Sequence, residues 1–125
     1  MCVKVFLADD AEIMRKAIRT LLSAREDITV IGEASNFRET IQKTAELHPD
    51  LIVFDVHLAD ENHITPTEVK SLRNRAKVLA ISFGTDDHTG KLAESVGAVK
   101  LLDKMELAQE LIPAILELAP AGTAA

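Results

Sequence analysis

Three aspartates, a serine and a lysine stand where apolar runs of this sequence stop. Asp9 and Asp10 follow "VKVFLA", Asp55 follows "LIVF", Ser82 ends "KVLAIS", and Lys104 comes just after "AVKLL". If those runs are neighbouring strands, their ends bring three carboxylates, one hydroxyl and one ammonium to a common edge. Carboxylates that close together repel, so they are either protonated or share a cation. Hard oxygen donors with room for water suit Mg²⁺, which takes one or two carboxylates and completes its shell with phosphate and water oxygens. A lysine opposite the cation and a hydroxyl beside it leave a gap shaped for a phosphoryl group. The chemistry this set could do is phosphoryl transfer, with metal and lysine offsetting the charge on the transferring oxygens.

The elements that must position these groups alternate along the chain. The expected strands are Val3–Ala8, Ile28–Ala34, Leu51–Phe54, Lys77–Ser82 and Ala98–Leu102. Between them, apolar residues recur at helical spacing. Ile13, Ala17 and Leu21 mark a helix to about Ala24, and Asn36 with Glu39 reads as the capped start of a second that Pro49 stops. Thr65, Pro66 and Glu68 open a third. A fourth runs from about Asp86 to Val96, with Gly97 as its terminator. The last covers "MELAQELIPAILELA", where Pro113 predicts a kink. Strand–helix alternation with short connections predicts an α/β fold, a parallel sheet with helices on both faces. Right-handed crossovers then put every strand's C-terminal end on one edge, where such folds bind ligands. The tail "PAGTAA" reads as a frayed end or the start of a linker, so residues 1–118 are expected to be one domain and 119–125 a flexible tail.

Composition narrows the function classes. The 125 residues, 47% hydrophobic and 27% charged, suit one soluble domain with a real core. A net charge of −6 argues against nonspecific binding to nucleic acid or anionic membranes. Tyr and Trp are absent and Phe is scarce, which argues against stacking platforms for single-stranded nucleic acid. A single cysteine, Cys2, and no apolar run of membrane-spanning length point to a cytoplasmic protein. Neither Gly-rich dinucleotide nor P-loop motifs follow the first strand. His57 and His63 lack the spacing of a zinc site, and a solvated loop is the better reading. Taken singly, Asp9–Asp10 would be a helix cap, Ser82 a structural serine and Lys104 a surface lysine; their convergence argues otherwise.

In order and spacing, "FLADD", "LIVFD", "VLAIS" and "GAVKLLDK" resemble the receiver domain of two-component response regulators over nearly the whole chain. "VLAISFGTDD" and "GAVKLLDK" are most similar to receivers that precede a helix-turn-helix DNA-binding domain. The resemblance implies a flavodoxin-like five-stranded sheet of order 2-1-3-4-5. It makes Asp55 the residue phosphorylated by a partner histidine kinase or phosphotransfer protein. Asp10 and Asp55 would bind Mg²⁺ directly, Asp9 through water, and the backbone carbonyl of His57 would add a ligand. Lys104 would pair with the phosphoryl group and Ser82 would move to hydrogen-bond it. Such a chain is a self-phosphorylating and self-dephosphorylating switch more than a metabolic enzyme. A homodimer is a further family partner, and DNA contact is expected only through an output domain beyond this chain.

Three positions depart from the family pattern. Leu101 stands where receivers usually carry the switch aromatic, three residues before the lysine. Ala59 replaces the usual proline after the phosphorylated aspartate, and the glycine that normally follows is missing, so the loop 56–65 is expected to be more mobile or differently shaped. Phe83 follows Ser82 where a small residue is usual, and its ring is expected to restrict access to Asp55. These departures motivate a second hypothesis, a phosphorylation-independent protein-binding module of the same fold. A third, a metal-dependent phosphohydrolase, lacks any visible second acid–base pair.

Overall fold

The computed structural model describes residues 2–60, 65–84 and 86–119. Among them, strands and helices alternate as β1 (Val3–Ala8), α1 (Glu12–Leu22), β2 (Ile28–Ala34), α2 (Phe37–Leu47), β3 (Leu51–Asp55), α3 (Pro66–Arg75), β4 (Lys77–Ser82), α4 (Asp87–Ser95), β5 (Ala98–Asp103) and α5 (Leu107–Leu118). Single 3₁₀ turns, Val56–Asp60 and Lys104–Glu106, follow β3 and β5. Every strand pair is parallel and the sheet order is β2-β1-β3-β4-β5. The chain therefore reverses its winding between β1 and β3, and the C-terminal ends of these two strands flank the crevice where such folds place ligands.

Burial explains why the central runs carry apolar residues at successive positions. Odd-numbered residues of β1 and β3 (Val3, Val5, Leu7, Leu51, Val53) pack toward α1 and α5 with Ile18, Leu22, Leu111 and Ile115. Even-numbered ones (Phe6, Ala8, Ile52, Phe54) pack toward α2 and α3 with Phe37 and Leu72. The rings of Phe37 and Phe54 meet edge to face at 5.9 Å. Each such large side chain contributes about 1.5–3 kcal/mol by burial, and β3, buried at every position, draws on both layers.

Local signals set most helix boundaries. Asn36 accepts from the Glu39 N–H at 2.8 Å, but the return arm of the expected box lands one residue earlier: Glu39 Oε1 accepts from the Ser35 N–H at 3.0 Å. Thr65 and Glu68 form the complete reciprocal box, and Asp86 accepts from the Thr89 N–H at 2.9 Å. α2 closes on His48 in the left-handed region (φ 50°), directly before Pro49. α4 ends at Ser95, one residue short of expectation, and Gly97 turns the chain with φ 71°; a Cβ there would lie 2.1 Å from Arg73 Cδ, so only glycine fits.

Other boundaries also differ from the sequence reading. α1 stops at Leu22 rather than Ala24. β3 and β5 extend one residue to include Asp55 and Asp103. α5 starts at Leu107 rather than Met105, because the Asp103 side chain accepts the Met105 N–H at 2.9 Å and winds Lys104–Glu106 into the 3₁₀ turn. α5 then runs on through Pro113. The tail from Pro120 onward lies outside the described residues. No described helix is long and apolar enough to cross a membrane.

Candidate functional site

The C-terminal ends of β1 and β3 build the site. Asp9, just past β1, donates its N–H to the Ala34 carbonyl at 3.1 Å. Its Oδ1 accepts the Ala11 N–H at 2.8 Å. That bond starts α1, whose N-cap Ala11 has no side-chain acceptor of its own. Asp55 closes β3 and accepts the His57 N–H on Oδ1 at 3.0 Å, so the turn after β3 aims the other oxygen at the edge. Asp10 is exposed beside them. One carboxylate oxygen from each of Asp9, Asp10 and Asp55 lies within 4.8 Å of the others.

Lys104, brought in by the turn after β5, completes the group. Its Nζ stands 2.8 Å from Asp9 Oδ2 and 3.3 Å from Asp55 Oδ2, with all three side chains at most 5% exposed. Three carboxylates against one ammonium leave the corner with two negative charges. Asp9 Oδ2 touches the ammonium only as an ion pair and has no hydrogen-bond donor, a buried acceptor left with capacity. Burial pushes the Asp55 carboxyl above its ordinary value, and Asp9 pushes it further; the His57 N–H and Lys104 act against this. A corner of hard oxygens with two uncompensated charges suits a hard cation.

The other predicted residues are placed less directly. Ser82 is buried at the end of β4, with its hydroxyl donating to the Gly84 carbonyl, so it is turned into its own loop. Leu101 is half-buried against the small cluster of Val56, Ala80 and Ala93. Phe83 is 58% exposed, and its ring centroid lies 5.1 Å from Lys104 Nζ, a cation–π contact at the mouth of the site. Of His57, the backbone N–H is the group seen at Asp55; its carbonyl as a ligand stays an expectation. Ala59 belongs to the 3₁₀ turn, whereas Glu61–Ile64, with His63, fall outside the described residues.

Sequence reading missed Arg15. Its Nη1 donates to the Asp9 carbonyl at 2.6 Å and its Nε to Glu33 Oε1 at 3.0 Å. The available signal was a cation in the early part of α1, where the helix dipole favours acids.

Residues 5–116 match the family model of the response regulator receiver domain. Among curated relatives, the response regulator protein VraR of Staphylococcus aureus is 32% identical over 116 residues, 92% of this chain and 56% of that protein. A protein-glutamate methylesterase/protein-glutamine glutaminase of Methanosarcina acetivorans is 35% identical over 83 residues, 66% of this chain and 23% of that protein. The chain thus spans between about a quarter and just over half the length of these relatives. Among solved structures, the response regulator domain of CheB from Thermotoga maritima has TM-score 0.79 at 23% identity, covering 94% of this chain and 96% of that one. A LuxR-family response regulator from Aurantimonas sp. SI85-9A1 has TM-score 0.80 at 24% identity, covering 94% and 85%. These two likenesses bear on the fold, and the family model covers the sequence from within β1 into α5: the chain belongs to the response regulator receiver domain family.

Proposed function

We propose that this chain is a phosphorylation switch in which Asp55 accepts a phosphoryl group from the phosphohistidine of a histidine kinase or phosphotransfer protein. The observation that carries it is the meeting of three carboxylates within 4.8 Å with Lys104 between Asp9 and Asp55. A carboxylate oxygen of Asp55 forms the new O–P bond as the P–N bond of the donor breaks. The electron pair stays on the imidazole, which takes up a proton. Lys104, already beside Asp55, offsets charge on the phosphoryl oxygens. Ser82 must leave the Gly84 carbonyl to hydrogen-bond the product, and Leu101, packed on Val56 and Ala80, is the side chain that would register that move.

The donor set fits a divalent cation of the Mg²⁺ class: hard oxygens only, two uncompensated charges, and Asp9 Oδ2 without a donor. Asp10 and Asp55 would hold it, with Asp9 acting through water and the His57 carbonyl adding an oxygen. When bound, it supplies positive charge against the oxygens of the transferring group. We assign residues 1–118 to the receiver and 119–125 to a tail or linker. The output we propose is transcription regulation in the cytoplasm, through an attached DNA-binding domain, as likeness to VraR and LuxR-family regulators suggests.

Incubation with phosphoramidate or acetyl phosphate and Mg²⁺ is expected to add one acid-stable, base-labile phosphoryl group, read by mass spectrometry, and none to Asp55→Asn. No adduct on the wild-type chain, or an equal one on the variant, would refute the assignment.

A further inference from the structure

The Asp9–Asp10 peptide carries two of the three carboxylates, yet the sheet grips only one side of it. β1 ends at Ala8, and the last strand-like bond runs from the Asp9 N–H to the Ala34 carbonyl. The Asp9 carbonyl points to a different partner, Arg15 Nη1 at 2.6 Å. The same guanidinium reaches Glu33 of β2 through Nε at 3.0 Å. Glu33 is itself held: its carboxylate accepts from Arg19, and its carbonyl accepts from Lys43 Nζ at 2.9 Å. The Arg15 side chain is only 16% exposed, and a planar guanidinium presents its donors at fixed angles, so it can bridge two acceptors where an ammonium offers a point charge.

We infer that Arg15, braced on Glu33, is a positioning residue for the acidic corner: it fixes the plane of the Asp9–Asp10 peptide and so aims Asp10 and Asp9 at a shared cation. The Asp9 carbonyl lies in the planar Asp9–Asp10 peptide, so Arg15 holds that plane while the bond from the Asp9 N–H to Ala34 anchors the peptide before it, and the Asp10 side chain is left little freedom of origin. Exposed Asp10 has no bond of its own side chain among the described contacts, and its aim depends on its backbone. Helix preference does not account for a cation so early in α1; the bond to Asp9 does. The inference rests on the phosphoacceptor reading for the identity of the cation.

The test compares Arg15→Met, Arg15→Lys and Glu33→Gln with the wild-type chain. Mg²⁺ affinity is measured by calorimetric titration, and amide hydrogen exchange of Asp9, Asp10 and Ala11 is measured without metal. Arg15→Met is expected to lower Mg²⁺ affinity by about tenfold or more, as loss of groups that orient metal ligands does. It should also speed exchange at Ala11, whose N–H is bonded to Asp9, while leaving amides of β4 unchanged. Phosphorylation by phosphoramidate at saturating Mg²⁺ should return to within about twofold of wild type, so the loss lies in metal affinity rather than maximal rate. Arg15→Lys should recover part of the affinity, and Glu33→Gln should shift it the same way by less. An Arg15→Met chain that binds Mg²⁺ as the wild type does overturns the brace. If that variant does not fold, unchanged affinity in Glu33→Gln does so. A wild-type chain that binds no Mg²⁺ overturns the phosphoacceptor reading itself.

Discussion

Replacing Lys104 by methionine keeps a long unbranched side chain and deletes only the charge. The ammonium lies 2.8 Å from Asp9 Oδ2 and 3.3 Å from Asp55 Oδ2. At an effective dielectric of about 20, each contact is a gross attraction of roughly 5–6 kcal/mol. Most of that is offset by the cost of drying the charges, and removing one partner from a buried pair typically costs about 3–5 kcal/mol. Because Asp10 opens the corner to water, the lower end applies, about 3 kcal/mol at pH 7 without metal. The pH dependence has a definite sign. The folded-state pKa of Asp55 is raised, first by burial, so its ionisation favours the unfolded chain. Stability from this group is complete below the unfolded value of about 3.9 and is lost as pH rises through the folded one. Lys104 counters that rise, so the deficit of Lys104→Met should grow from acid toward neutral pH. Mg²⁺ contributes about 2.7 kcal/mol to either chain at a hundred times its own Kd; at equal Mg²⁺ the gap should narrow by as much as the variant, which lacks the competing ammonium, binds the ion more tightly. With no Tyr or Trp in the chain, urea unfolding is best followed by far-ultraviolet circular dichroism. A deficit that is the same at pH 5 and pH 7, with and without Mg²⁺, would refute the charge argument and leave Lys104 as a packing residue.

Phe83→Ala frees the Lys104 ammonium from a contact worth about 0.5–1 kcal/mol, so phosphorylation by phosphoramidate should speed by roughly two- to fivefold; an unchanged or slower rate would rule out the ring as a restriction. His48→Gly relieves a left-handed residue and should raise unfolding stability by about 0.5–1 kcal/mol, less than the full strain because glycine also loosens the unfolded chain; an unmoved urea midpoint counts against it. Asp86 is held below the usual carboxylate range by its bonds with Thr89. Asp86→Ala should therefore lose stability at neutral pH, and the difference should fade as pH falls through the folded value; a difference that persists in acid would show that the cap is not electrostatic.

The central strands were legible in the sequence because β1, β3 and β4 are largely apolar runs stopped by a polar residue, with no alternation to confuse the pattern, whereas the edge strands β2 and β5 carry Glu33 and Lys100 inside them. Asn36 and Thr65 were legible as caps because a cap depends on residues three positions apart, whereas Asp86 was read as the start of α4 and proves to be its cap. Contacts that depend on how a turn folds were not. The Ser82 hydroxyl finds Gly84, and the Asp103 carboxylate finds Met105, only once the loops after β4 and β5 have taken shape. Glu39 Oε1 takes the Ser35 N–H and hydroxyl, and the Asn36 side-chain amide, rather than the Asn36 backbone N–H. Arg15 escaped notice for a different reason: its partners are a backbone carbonyl, which every residue carries, and a glutamate on another strand. The three carboxylates and Lys104 met as expected, since the fold alone sends strand ends to one edge.

Mutational tolerance should pass from a solid block to an alternating pattern just beyond Asp55. From Leu51 to Asp55 no side chain faces solvent, so almost any replacement there opens a void or forces a clash. The proposed nucleophile is inherited along with the core, and a lineage cannot drift toward losing one without endangering the other. Past Asp55 the constraint becomes intermittent: Val56 and Leu58 are still buried, whereas His57 between them is exposed. A saturation scan scored for folding would show an unbroken dark band from Leu51 to Val56, a pale position at His57 and a dark one again at Leu58. Variation that retunes the proposed switch without dismantling the fold has that pale position as its ground.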